Sequence, residues 1–107
     1  MHIRYRYRGG EKVFDQPCDE VTLGRPRHGV RVDIDLSPDL RVSRPHARIS
    51  AADGRYWIED LGSANGTELD DQPIKGKGKL PLAPGQTIRI SETTIEVEVP
   101  AAAAPDP

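Results

Sequence analysis

The chain has 107 residues, the size of one domain, large enough to bury a core without disulfides or a metal. Charged residues make up 30% of it and the formal net charge is only −2, which excludes a molecule built as a whole to bind polyanions. Cys18 is the single cysteine, which excludes an internal disulfide and a cysteine zinc site and leaves it the part of a small packed hydrophobe.

Taken in chain order, the dominant period is two. Ile3, Tyr5 and Tyr7 alternate with Arg4, Arg6 and Arg8, which predicts a strand with one buried and one solvated face. Gly9-Gly10 turns the chain into a second strand from Glu11 to Phe14. A third runs from about Glu20 to Leu23 and stops at Gly24, and the alternation returns briefly over 33–36 before Pro38 breaks it. Strands over 46–51 and 56–61 are joined through Asp53-Gly54, a type I′ turn signal because both central residues need positive φ. Tyr56 and Trp57 read as aromatics of this core strand. Thr67-Glu68-Leu69, a weak segment around Ile74 and a turn at Pro84-Gly85 follow. Ile88-Arg89-Ile90 and a clean alternation over 95–99 close the series, with Thr93 and Thr94 in the turn that starts the last strand.

Nine or more short strands without a helical period predict an all-β sandwich. The glycine-separated run Lys75-Gly76-Lys77-Gly78-Lys79 reads as a solvated, mobile loop far from the arginines. Residues 100–107 are Ala/Pro-rich and read as a tail or the start of a linker, which leaves a domain over 1–99 and points to a longer parent chain. The start has no apolar signal region, and no stretch approaches the roughly 20 apolar residues of a membrane helix. The expectation is a cytoplasmic monomer that touches no membrane.

Charge is distributed unevenly. Arg25, Arg27, Arg31, Arg41, Arg44 and Arg48 fall between positions 25 and 48 with His28 beside them, whereas 92–107 carries only acidic charge. A locally basic face on a near-neutral chain suits a discrete anionic ligand. Within this region Arg25 directly follows the glycine that ends a strand. Ser43 offers a hydroxyl and a backbone N–H, Arg44 a second cation, and Asn65 an amide that both donates and accepts, as an extended peptide backbone requires. Gly62 and Gly66 let the loop around Asn65 approach a ligand closely. Taken singly, each run has an ordinary explanation as a turn or a solvated arginine.

Their order and spacing carry more. Gly24-Arg25 is followed eighteen positions after the arginine by Ser43-Arg44-Pro45-His46, and Asn65 in Asp60-Leu61-Gly62-Ser63-Ala64-Asn65-Gly66-Thr67 follows His46 by nineteen. Thr67 to Ile74 and Leu82 to Ile90 extend the pattern. This resembles the forkhead-associated (FHA) domain over about positions 21 to 99. The resemblance implies an eleven-stranded β-sandwich with binding loops at one end, and a receptor for phosphothreonine in a partner protein acted on by a Ser/Thr kinase. It implies that Arg25, Ser43 and Arg44 grip the phosphate and that Asn65 holds the peptide backbone. It makes Gly24, His46, Gly66 and Thr67 architectural. Arg27, His28, Arg31, Arg41, Ser63 and Ala64 stand as accessory ligand contacts, the bases in the loop from Pro26 to Val32 being suited to acidic residues near the phosphothreonine.

Ala64 departs from the family pattern, which often has Thr or Ser before the asparagine; one missing hydrogen bond weakens the phosphate grip by about 1 kcal/mol. That departure keeps a second reading open, a phospho-independent protein interaction module on the same scaffold. Nucleic-acid binding is disfavoured, since aromatics are 5% of the chain and are not interleaved with the bases. No nucleophile–base pair, paired-carboxylate motif or metal-ligand spacing appears, so no catalytic residue, cofactor or metal is expected.

Overall fold

Branched and aromatic residues at alternate positions build strands that bury one face, and the turn residues between them fix where each strand stops. The computed structural model describes residues 1–29, 31–37, 39–83 and 85–98. These residues form eleven strands: β1 (His2–Tyr7), β2 (Gly10–Asp15), β3 (Glu20–Gly24), β4 (Ile34–Asp35), β5 (Ala47–Ala52), β6 (Arg55–Asp60), β7 (Glu68–Leu69), β8 (Gln72–Pro73), β9 (Lys79–Leu82), β10 (Thr87–Ile90) and β11 (Thr93–Glu98). They make a six-stranded sheet in the order β2-β1-β11-β10-β7-β8 and a five-stranded sheet in the order β4-β3-β5-β6-β9. The β3–β4 pairing is parallel and the others are antiparallel. The fold is an all-β sandwich, and among the described residues no helix is long and apolar enough to cross a membrane.

The core lies between the sheets. Ile3, Ile88, Ile90, Ile95 and Val97 from one and Val21, Leu23, Ile49 and Ile58 from the other are buried, each such side chain contributing about 1.5–3 kcal/mol. Cys18 packs at the margin of this cluster. The Asp53-Gly54 turn has φ of 54° and 74°, as the type I′ signal requires. Pro38, Pro84, the strand end at Val99 and the stretch 100–107 fall outside the described residues, while Gly85 has the positive φ of 86° expected in a turn.

Tyr56 and Trp57 lie on β6 as expected, Tyr56 packing inward and Trp57, next to the buried Ile58, on the opposite face. Two expectations need correction. Thr93 and Thr94 are the first two residues of β11, with Thr93 buried. Lys79, the end of the supposed mobile run, opens β9, which pairs with β6 through Glu59↔Lys79 and Trp57↔Pro81. Pro81 is tolerated there because β9 is an edge strand, where an N–H is not needed for a further ladder. The loops that leave β3, enter β5 and connect β6 to β7 gather at one end of the sandwich, and there the candidate residues lie.

Candidate functional site

Gly24 lets β3 end against the loop that precedes β5. A Cβ built on it would lie 2.7 Å from the Ser43 carbonyl oxygen and 2.8 Å from the His46 nitrogen, so no larger residue fits. The close approach is held by backbone bonds: Arg25 N–H donates to Ser43 O (3.1 Å), His46 N–H to Leu23 O (2.9 Å) and Leu36 N–H to Gly24 O (2.8 Å). Arg25 then donates from Nε to Val42 O at 2.7 Å. That bond fixes the root of the guanidinium and leaves its terminal nitrogens without a partner among the described residues.

His46 joins the two main loops. It is fully buried; Ser43 N–H donates to its Nδ1 at 2.9 Å, so Nε2 carries the proton and donates to Gly66 O at 2.8 Å. Burial in this neutral tautomer pushes its pKa below the ordinary histidine value. The Ser43 N–H expected at the ligand is therefore taken by His46. The Ser43 hydroxyl remains: Oγ accepts the Ala64 N–H at 2.9 Å and keeps its own hydrogen to donate. Asn65 donates from Nδ2 to Arg41 O at 2.9 Å, which ties the loop after β6 to the loop before β5 a third time. The second Nδ2 hydrogen and Oδ1 have no partner among the described residues.

Two carboxylates organise these loops. Asp60 accepts from Gly62 N–H (2.8 Å), Ser63 N–H (2.9 Å), Ser63 Oγ (2.6 Å) and Thr67 Oγ1 (2.7 Å). Burial alone would raise its pKa, but these donors outweigh it and hold the carboxyl below the usual range. Asp39, 2% exposed, accepts from Arg41 N–H, Glu92 N–H and the Thr93 hydroxyl, and anchors the loop before β5 to the β10–β11 turn. Burial opposes its ionisation as well, and the same donors again bring its pKa below the ordinary value. Asp60 is the first residue of the Asp60 to Thr67 run, whereas nothing local in the sequence points to Asp39.

Ser63 also needs correction as a ligand contact. It is fully buried, and its hydroxyl donates to Asp60 and accepts from Gly66 N–H at 2.9 Å, so it belongs to the interior of the loop. Thr67 is buried beside it. Ala64 is exposed, and its backbone N–H is spent on Ser43. Arg27, His28 and Arg31 are exposed on the neighbouring loop with no hydrogen bond to the rest of the site among the described residues. Arg41 and Arg44 are exposed on the central loop, where the Arg44–Pro45 peptide bond is cis.

Charge separates this end from the rest of the surface. Arg4 pairs with Glu98, Arg6 with Glu11, Arg8 with Glu92, Arg89 with Glu68 and Arg48 with Glu20. Arg25, Arg27, Arg31, Arg41 and Arg44 have no carboxylate partner among the described residues. The arrangement is a rigid rim of donors, held from below by His46, Asp39 and Asp60, under a positive potential that the protein itself does not neutralise.

Comparison with known proteins agrees with this geometry. The FHA domain family model matches residues 21–91. FhaB, an FHA domain-containing protein of Mycolicibacterium smegmatis, is 42% identical over 77 residues, covering 72% of this chain and 46% of that protein. The FHA domain of the CT664 protein from Chlamydia trachomatis superposes with a TM-score of 0.72 at 26% identity, over 94% of this chain and all of that one. EmbR of Mycobacterium tuberculosis, solved in complex with a low-affinity phosphopeptide, superposes with a TM-score of 0.74 at 25% identity, over 91% of this chain and 24% of that one. The chain spans from about a fifth to about half the length of the curated relatives it matches.

Proposed function

Since the chain belongs to the FHA domain family, we propose that it is a receptor for phosphothreonine in a partner protein, engaged after a Ser/Thr kinase has modified that partner. One observation carries the reading. Arg25, Ser43, Arg44 and Asn65 come from loops that hydrogen bonds tie into a single rim, and the arginines of that rim lack internal counter-charges.

The chemistry follows from those groups. A phosphate dianion accepts charge-assisted bonds from the terminal nitrogens of Arg25 and from Arg44, each such bond worth about 1.5–3 kcal/mol. The Ser43 hydroxyl adds a neutral donor whose oxygen is already oriented by Ala64 N–H. Asn65 offers Oδ1 and its second Nδ2 hydrogen to the N–H and C=O of the peptide backbone. A threonine methyl against the loops favours phosphothreonine over phosphoserine by about 1 kcal/mol. EmbR, similar in fold, was solved with a phosphopeptide, which supports this ligand class. The buried links through His46, Asp39 and Asp60 set the loops before the ligand arrives, so little ordering remains to oppose binding.

An oriented phosphothreonine peptide library, with matched phosphoserine and unphosphorylated controls, tests the reading. Selective capture of phosphothreonine sequences at micromolar affinity is the expected result. Equal affinity for all three sets would overturn it in favour of a phospho-independent interaction module.

A further inference from the structure

In the sequence, Lys75 stands ten positions beyond Asn65 in a run that reads as remote solvated loop. The fold moves it. The chain leaves Asn65 and Gly66 along β7, turns at Asp70-Asp71 and returns along β8, with Leu69 paired to Gln72 and Glu68 to Pro73. Ile74 N–H then donates to Thr67 O at 2.9 Å, and Ile74 itself is buried. The next residue therefore stands across from Gly66, where a Cβ would lie 4.0 Å from the Lys75 Cβ. Lys77 N–H closes the turn on Ile74 O at 3.1 Å.

The root of Lys75 is thus fixed beside the Asn65 loop, while the side chain is exposed and has no carboxylate partner among the described residues. Burial is the main cause of the low pKa of His46, and the positive charge of Lys75 adds to it.

Resting on the phosphothreonine reading above, we propose that Lys75 is a ligand-contacting residue of the same rim. It selects partners that carry a second anionic group beside the phosphothreonine, on the Asn65 side. Asn65 is the amide that meets the ligand backbone, so residues flanking the phosphothreonine pass over Gly66 and within reach of the flexible four-carbon lysine stem. A lone ammonium on that path attracts a carboxylate or a second phosphate and repels a basic residue. At an exposed position this acts mainly as a specificity term.

The test uses fluorescence anisotropy with labelled phosphothreonine peptides. One has neutral flanks; others carry a carboxylate, a second phosphothreonine or a lysine in the residues just before or just after. Wild type, Lys75→Gln and Lys75→Glu are compared. The expected result is that an anionic flank on one side of the phosphothreonine strengthens wild-type binding by about twofold to fivefold. Lys75→Gln erases that advantage, bringing the anionic-flank affinity down to that of the neutral-flank peptide, and Lys75→Glu reverses the preference toward the lysine flank. The carboxylate and second-phosphate arms identify which source the site prefers. Failure of the neutral-flank peptide to bind wild type would remove the receptor reading and this inference with it. Normal binding of that peptide, with a flank preference that is absent or unmoved by both variants, would overturn the inference alone. Urea unfolding midpoints equal to wild type exclude a folding defect as the cause.

Discussion

His46 holds Gly66 by a single bond from inside the molecule: its Nε2–H donates to the Gly66 carbonyl 2.8 Å away, while Nδ1 accepts the Ser43 N–H. One neutral ring thus sets the spacing between the loop that carries Ser43 and Arg44 and the loop that carries Asn65. Protonating Nδ1 would place a hydrogen against the Ser43 N–H and break that link.

Acid sensitivity follows with a defined sign. Burial lowers the His46 pKa in the folded state, so between that value and about 6.5 the unfolded chain binds more protons than the folded one. Stability is therefore full above pH about 6.5 and falls as the pH drops from there toward the folded value. The depressed carboxyls of Asp39 and Asp60 act in a separate window, their contribution being lost only as the pH falls below about 4. Thermal melting from pH 8 to pH 5 checks this: the slope below 6.5 is expected in wild type and absent in His46→Asn. An equal slope in both would assign it to other groups.

Gly24→Ala is expected to be the most damaging small substitution at this end. The added methyl would sit 2.7 Å from Ser43 O and 2.8 Å from His46 N, both backbone atoms that cannot rotate away. The loss is about 3 kcal/mol, with separation of β3 from the loop before β5. Urea denaturation measures it; a change of under about 1 kcal/mol would show that the loop yields more easily than its hydrogen bonds imply.

Asp60→Ala removes the acceptor of four hydrogen bonds and leaves the Ser63 and Thr67 hydroxyls without their partner. A destabilisation of about 2–3 kcal/mol is expected. Faster amide hydrogen exchange should appear at Ser63 and Gly66 before the core strands. Loss of stability without this local exchange would mean that the loop is held mainly by His46.

Ala64→Thr restores a hydroxyl beside Asn65 and should tighten phosphothreonine binding by about fivefold, from one added hydrogen bond worth about 1 kcal/mol. Arg25→Ala should abolish binding while the cooperative unfolding transition persists, because it removes a single part-buried bond to Val42 O and no core side chain. Calorimetric titration of both variants with one peptide separates gain from loss. A neutral Ala64→Thr would place that position outside the phosphate shell.

Much of the fold was legible because its strands bury one face: Ile3, Ile49, Ile88 and Ile95 each mark an alternating stretch, and Asp53-Gly54 marks its turn. The candidate rim was legible from Gly24-Arg25, Ser43 to His46, and Asp60 to Thr67. What stayed hidden depends on long-range partners. β9 was masked by Pro81 and by the lysines before it, since the edge position that excuses a proline is a property of the sheet. That Trp57 is on the face of β6 opposite Ile58 depends on which face of the strand the second sheet covers, and no local pattern decides that. Asp39 and Ser63 acquired their roles from hydrogen bonds to residues that no local pattern connects to them. Lys75 reached Gly66 only through the β7–β8 hairpin, which two-residue strands announce weakly.

On the proposed reading, phosphothreonine binds at the end of the sandwich built from the loops after β3, before β5 and after β6. Amide chemical-shift mapping during titration with a library-selected phosphothreonine peptide tests it most directly. Saturable shifts are expected at Arg25, at 41–46 and at 62–67, with none for the unphosphorylated peptide. Shifts on the outer faces of the sheets, or equal shifts with both peptides, would contradict it.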